Sequence, residues 1–168
     1  MVQQGQEIRT HFGVYGVLTK GQQLLCIKKN AGPYQNRFDL PGGGQQIGEG
    51  LVETIQREFR EETGFSLKKI DDNRVYDVFV AEQGKTYMVH HIFAVYSVEI
   101  SEGVTDIPLV VADGKNDSDG VQWVALDQLT SENSSPLVLR IVQEILGNEK
   151  SLQAPVYSNW QRLSSFNN

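Results

Sequence analysis

An α/β fold, a mixed sheet with helices packed on both of its faces, is predicted from three features of this chain. Its first third carries short apolar runs separated by turn residues, a single strongly periodic helix follows, and the chain then returns to strands before a closing helix. With 168 residues there is room for one domain with a sizeable core and little for a second. The expected organisation is one domain over residues 1–168, with 149–168 as a peripheral tail.

The elements follow in order. Residues 12–18, Phe-Gly-Val-Tyr-Gly-Val-Leu, read as a strand; Lys20-Gly21 is a turn signal, and residues 23–28 are a second strand, so that the two form a hairpin. A polar loop over 30–36 contains Gly32-Pro33, residues 38–40 are extended, and Pro41-Gly42-Gly43-Gly44 breaks any regular element. Leu51, Ile55 and Phe59 recur at four-residue spacing, with Val52 beside them, and Gly64 supplies a C-terminal stop. The spacing predicts a helix over 50–63. Strands are expected over 74–82 and 86–100 around the turn Gln83-Gly84-Lys85. An acidic loop is expected over 104–120 and a last strand over 121–124, and Ser134-Ser135-Pro136 opens a helix through 146. The polar tail with its isolated Tyr157, Trp160 and Phe166 has three readings: packed on the domain, packed on a second subunit of a homodimer, or loose.

Composition narrows the function classes. Hydrophobic residues make up 39% of the chain, too many for a disordered protein. The formal charge of -6 gives no bulk attraction for DNA or anionic membranes, so a polyanionic ligand has to be met locally, by a cation, a few basic side chains or backbone amides. The lone Cys26 lies in an apolar run and reads as a buried strand thiol. No segment reads as a signal peptide or as a bilayer span, and the expectation is a cytoplasmic protein.

The chemistry is concentrated between Gly43 and Phe65. On a helical wheel with Leu51 at zero, Ile55 falls near about 40° and Phe59 near about 80°. Glu58, Glu61 and Glu62 fall near about 340°, 280° and 20°. The three acids therefore share a face, and Glu62 lies within the apolar stripe. Like charges three and four residues apart repel, and half-buried carboxylates cost more still unless paired. Two cationic solutions are open: Arg57 and Arg60 neutralise the acids in an ion-pair network, or a hard divalent ion is held by carboxylate oxygens and water, as Mg²⁺ prefers. Gly42, Gly43 and Gly44, which let backbone approach a ligand closely, favour the second.

Gly43-x5-Glu49-x7-Arg57-Glu58-Phe59-x-Glu61-Glu62-x-Gly64-Phe65 resembles the complete Nudix box, and the preceding Leu40-Pro41-Gly42-Gly43 is similar to the family's usual lead-in. Phe59 and Phe65 stand where the family commonly has aliphatic residues, a difference of packing. The resemblance implies an α/β/α sandwich with the box as a loop–helix–loop, and a pyrophosphohydrolase that uses Mg²⁺, with Mn²⁺ as substitute, to cleave a phosphoanhydride in a nucleoside triphosphate or other nucleoside diphosphate derivative. It also implies roles. Glu58, Glu61 and Glu62 become the principal metal ligands, the carbonyl of Gly42 an additional one, Arg57 the group that orients a glutamate, and Glu49 a stabiliser of the loop–helix–loop. Many members place a further acid before a late tryptophan strand. Here that makes Asp117 and Asp119, ahead of Trp123, candidates for an added ligand or general base, with an exposed acidic loop as the alternative.

Other side chains have two readings each. Lys28, Lys29 or Arg37 is available for a distal phosphate, or simply for the surface. Phe12, Tyr15, Tyr34 and Phe38 are candidates for stacking a base, or for the core. His90 and His91, adjacent on a strand, point to opposite faces, and neither is read as a metal ligand. The family proline typical of ADP-ribose enzymes is missing (Ala81 is near its place), and Tyr76 and Tyr87 do not match the spacing of the dinucleoside-polyphosphate tyrosine. An RNA 5′-pyrophosphohydrolase and an ADP-ribose or sugar-nucleotide pyrophosphatase stay open as alternative activities. A non-catalytic nucleotide-sensing Nudix domain is the alternative of another class, though such domains usually lose box glutamates and this chain retains all of them.

Overall fold

The computed structural model describes residues 5–101, 118–147 and 152–167. Strand β1, Glu7–Val17, lies in a five-stranded sheet, parallel to β7 (Tyr87–Ile100) and antiparallel to the two-residue β5 (Gly42–Gly43). β7 pairs antiparallel with β6 (Leu67–Glu82), and β6 parallel with β9 (Val156–Trp160), giving the order β5-β1-β7-β6-β9. A smaller antiparallel sheet is centred on β3 (Gln23–Lys29), which pairs with β2 (Thr19–Lys20), β4 (Phe38–Asp39) and β8 (Ser118–Ala125). The helices are α1, Leu51–Thr63, and α2, Pro136–Ile145.

The two-residue period of the strands divides the core. Along β3, Leu24 and Cys26 pack in one cluster and Leu25 in the other; along β7, Phe93 and Val95 divide from Ala94 in the same way. Val138 and Ile141 of α2 complete the first cluster, and Ile55 and Phe59 of α1 complete the second. The mixed α/β architecture with a helix for each core cluster is the fold expected from the sequence. Ile55 and Phe59 are fully buried, each contributing about 2–3 kcal/mol through removal of apolar surface from water. Val52 instead faces solvent. Gly64 ends α1 at φ 76°, its N–H donating to Arg60 O. Ser135 caps α2: its hydroxyl accepts from the Val138 N–H at 3.2 Å and donates to Asp39 at 2.6 Å.

Several elements depart from the sequence expectation. β1 begins at Glu7 because its outer half is held by the parallel ladder with β7, which does not require alternating burial. The hairpin is made by β2 and β3 alone; β1 belongs to the other sheet. Gly42–Gly43 forms a strand where a break was expected, since backbone pairing with Val14 and Tyr15 needs no side chain. β6 starts at Leu67, and β8 at Ser118, inside the segment expected to be an acidic loop. The part of that loop before Ser118 lies outside the described residues. The tail is not peripheral over its described length: β9 extends the larger sheet and buries Trp160. Among the described residues, no helix is long and apolar enough to cross a membrane.

Candidate functional site

α1 lies against β5, and this contact brings the box acids to the glycine loop. Glu62 is 2% exposed, as its place in the apolar stripe demands, and its Oε2 accepts from the Gly42 N–H at 2.8 Å. Gly42 has φ +147°, and a Cβ there would stand 2.2 Å from Val14 O, so only glycine lets β5 pair this closely with β1. At Gly43 a Cβ would meet the Glu58 carboxylate at 2.7 Å. The missing side chain is the space that Glu58 occupies.

Arg57 collects the remaining acids. Its Nε and Nη2 donate to the two oxygens of Glu49 at 2.5 and 2.9 Å, and Nη2 also reaches Gly44 O at 3.0 Å. Its Nη1 donates to Glu58 at 2.7 Å and to Glu61 at 3.2 Å. Glu49 accepts further from the Gln46 N–H and the Thr54 hydroxyl. The Arg57 hydrogen bond and then the Gln46 N–H hold Glu49 down to about 2, while Glu49 and Glu58 raise Arg57 further above its ordinary range. Arg60, the other basic candidate, is exposed. Thus the ion-pair network expected as one of two solutions is present, centred on Arg57.

The donor chemistry also suits a hard divalent ion. Glu58 and Glu61 converge on one nitrogen, and Mg²⁺ commonly takes only one or two protein carboxylates, with water and substrate phosphate completing its octahedron. Glu61 keeps 43% of its side-chain surface exposed, against 16% for Glu58, so the pair opens toward solvent on one side. Among the described residues, no group of three or more His, Cys, Asp or Glu side chains is arranged to hold a metal ion by itself.

The other sequence candidates are distributed differently. Asp117 lies outside the described residues. Asp119 is exposed near the start of β8, on a strand and not in a loop, and accepts from Asn30 Nδ2 at 2.8 Å. Arg37 is not available to a phosphate: it is 5% exposed, and its guanidinium donates to the carbonyls of Ser131, Ser134 and Gln161. Its charge is spent on backbone oxygens that burial leaves in need of donors. Phe38 is core, 2% exposed.

Tyr15 and Tyr34 form part of a cleft of about 280 Å³ that also takes in His11, Lys29, Asp39 and His91. Tyr15 links this cleft to the glutamates, because it is the register partner of Gly42. At the cleft wall, His91 is 4% exposed and lies between two hydroxyls, Tyr15 at 3.1 Å from Nε2 and Tyr34 at 3.1 Å from Nδ1. Burial, with nearby His11 and Lys29, lowers the imidazole to about 3, so it is neutral at ordinary pH and donates through one nitrogen while accepting through the other. His90 faces the opposite side, stacked on Phe79 and bonded to Asp77. The roles of Asp39 and His91 were missed in the sequence. The only signal was Asp39 just before the glycine loop and His91 on the same strand face as Phe93.

A family model described as the NUDIX domain matches residues 8–143. The chain is 30% identical over 116 residues to the nucleoside triphosphatase NudI of Enterobacter sp. (strain 638), a match covering 61% of this chain and 82% of that protein. It is 41% identical over 55 residues to an ADP-ribose pyrophosphatase of Methanocaldococcus jannaschii, covering 33% of this chain and only 32% of that protein. Among solved structures it is similar to a MutT NUDIX hydrolase from Burkholderia pseudomallei, with a TM-score of 0.63 at 24% identity, covering 81% of this chain and 97% of that one. It is also similar to a bifunctional NMN adenylyltransferase/ADP ribose pyrophosphatase from Francisella tularensis complexed with AMP and a Mn ion, with a TM-score of 0.54 at 16% identity, covering 83% and 42%. Both likenesses concern the fold.

Proposed function

This chain belongs to the NUDIX family of hydrolases, and from that premise we propose that it hydrolyses a phosphoanhydride bond of a nucleoside triphosphate with the help of Mg²⁺ or Mn²⁺. The observation that carries the reading is the convergence of Glu58 and Glu61 on one nitrogen of Arg57, beside a glycine strand whose Gly42 N–H is held by buried Glu62. Glu58 and Glu61 would hold the ion, with Glu62 and the Gly42 carbonyl behind them. When bound, such an ion neutralises phosphate oxygens and makes a water acidic enough to attack phosphorus. Arg57 keeps the two acids side by side by donating to both, and Glu49 keeps Arg57 in place. A carboxylate accepts the proton of the attacking water; the candidates are Asp117, Asp119 and the box acids Glu58 and Glu61.

The cleft beside Tyr15 is the proposed seat of the nucleoside. It is walled by aromatic rings, which suit a base, and it adjoins the strand that carries Gly42. Lys29 at its edge is a basic candidate for a phosphate. The nucleoside triphosphate reading is preferred because the NudI match extends over 61% of this chain, whereas the ADP-ribose enzyme matches over 33%. The test is a panel of ribo- and deoxyribonucleoside triphosphates, ADP-ribose and a sugar nucleotide, each with Mg²⁺, Mn²⁺ or chelator, reading released phosphate and pyrophosphate. Metal-dependent turnover of a triphosphate is the expected result. Turnover that survives chelation, or none with any substrate, would sink the proposal; selective cleavage of ADP-ribose would move it to the second substrate.

A further inference from the structure

The family match ends at residue 143, yet the chain beyond it makes specific contacts with the cleft loop. Between β3 and β4 runs the segment 30–37, which contributes Gly32, Pro33 and Tyr34 to the cleft. Its backbone bonds are Gln35 N–H to Gly32 O and Arg37 N–H to Tyr34 O within the segment, and Asn36 N–H to Lys29 O and Lys29 N–H to Arg37 O at its base. The C-terminal segment fastens it from outside. The Trp160 indole N–H donates to Pro33 O at 2.7 Å, and the Trp160 ring meets Tyr34 edge-on at 5.8 Å and Arg37 face-on at 4.2 Å. Further along, Gln161 O accepts from Arg37 and Leu163 O from Asn36 Nδ2 at 2.7 Å, while Phe166 closes over Phe38.

A strand that only completed the sheet edge would need none of these bonds. The Trp160 side chain is directed at the loop, not at the ladder with β6. Tyr34, the residue against it, is also the residue whose hydroxyl fixes one nitrogen of His91 at the cleft wall.

We propose that the C-terminal segment from β9 through Phe166 sets the shape of the nucleoside cleft, with Trp160 as a positioning residue that acts through Pro33 and Tyr34. The inference rests on the reading of the cleft as the nucleoside seat. Substrate affinity then depends on a segment outside the matched family region, while bond cleavage depends on the α1 glutamates, none of which the segment touches in these contacts.

The experiment compares kcat and KM of the wild type, Trp160→Ala, Trp160→Phe and Asn36→Gly. The substrate is the nucleoside triphosphate turned over best in the panel, and melting temperature is followed in parallel. Asn36 has φ +61°, so glycine keeps that backbone and deletes only the tie to Leu163. Trp160→Ala is expected to raise KM about tenfold with kcat within about twofold, Asn36→Gly to raise KM about threefold, and Trp160→Phe to recover part of the loss because it restores a ring without the N–H. A merely structural role lowers the active fraction, which reduces kcat and leaves KM alone. That pattern, or unchanged KM in both lines, overturns the inference; if Trp160→Ala does not fold, Asn36→Gly decides it. A wild type that hydrolyses no nucleotide overturns the nucleoside reading and this inference together, whereas an active wild type whose KM survives both changes overturns this inference alone.

Discussion

The guanidinium of Arg57 meets the carboxylate of Glu49 through two parallel hydrogen bonds, so a residue of the loop before α1 fixes the residue that gathers the helix acids. Glu49 is held at about 2, below its ordinary 4.5. A depressed carboxyl stabilises the folded state fully above the unfolded value and loses that contribution as pH falls toward the folded one. The melting temperature of the wild type should therefore drop between about pH 5 and 2, and Glu49→Gln should start lower at neutral pH and fall less across that window. Parallel melting curves for the two proteins would show that the pair does not stabilise the loop.

Two glycines, one in β5 and one just after it, provide a steric test of that strand. Gly42→Ala places a methyl against Val14 O at a φ that alanine avoids, and should cost roughly 2 kcal/mol or more. Gly44→Ala meets open space, and its cost should stay within about 1 kcal/mol. Urea denaturation of both variants measures this, and similar midpoints for the two would contradict the described pairing of β5 with β1.

Glu61→Gln and Glu62→Gln are each expected to lower kcat by about two orders of magnitude or more, since losing charge stabilisation at phosphorus costs several kcal/mol. In the Glu62→Gln variant the new amide oxygen can still accept from the Gly42 N–H, so the fold should survive. Steady-state rates with circular dichroism as a check on folding are sufficient. A folded double variant with wild-type turnover would end the assignment of Glu61 to a metal and of Glu62 to the support behind it.

Asp119→Asn should change stability by no more than about 0.5 kcal/mol, because the side chain is exposed and its partner Asn30 can bond an amide as well. If Asp119 or Asp117 is the base, its Asn variant loses turnover together with the acidic limb of the pH–rate profile, at unchanged melting temperature. Rates and limbs retained in both variants would direct the search to Glu58 and Glu61.

The burial of Glu62 was legible because a helix has one period, and an acid within its apolar stripe shows directly on the helical wheel. Likewise the Ser135 cap of α2 follows from three consecutive residues. What escaped is non-local. β9 has only Trp160 buried and looks like polar tail; it is a strand because Phe79 and Val80 of β6 offer an open edge. Arg37 gave no sign of burial, since its partners are the carbonyls of Ser131, Ser134 and Gln161, remote in sequence and anonymous as side chains. Gly42 and Gly43 reveal flexibility in sequence but not the register that turns flexibility into a strand.

The ladder that sets Glu7 opposite Tyr87 and Val17 opposite Ser97 joins partners about eighty residues apart throughout, with the whole box in the intervening loop. Closing so long a loop is entropically slow, and parallel pairing offers little reward until it is closed. α1 can wind locally before then, and the pairing of β1 with β5 can already offer Val14 to Ile55 and Phe59 and the Gly42 N–H to Glu62. The glutamates are therefore gathered by contacts that lie within residues 7–65, and the long ladder ties that assembly to the rest of the sheet.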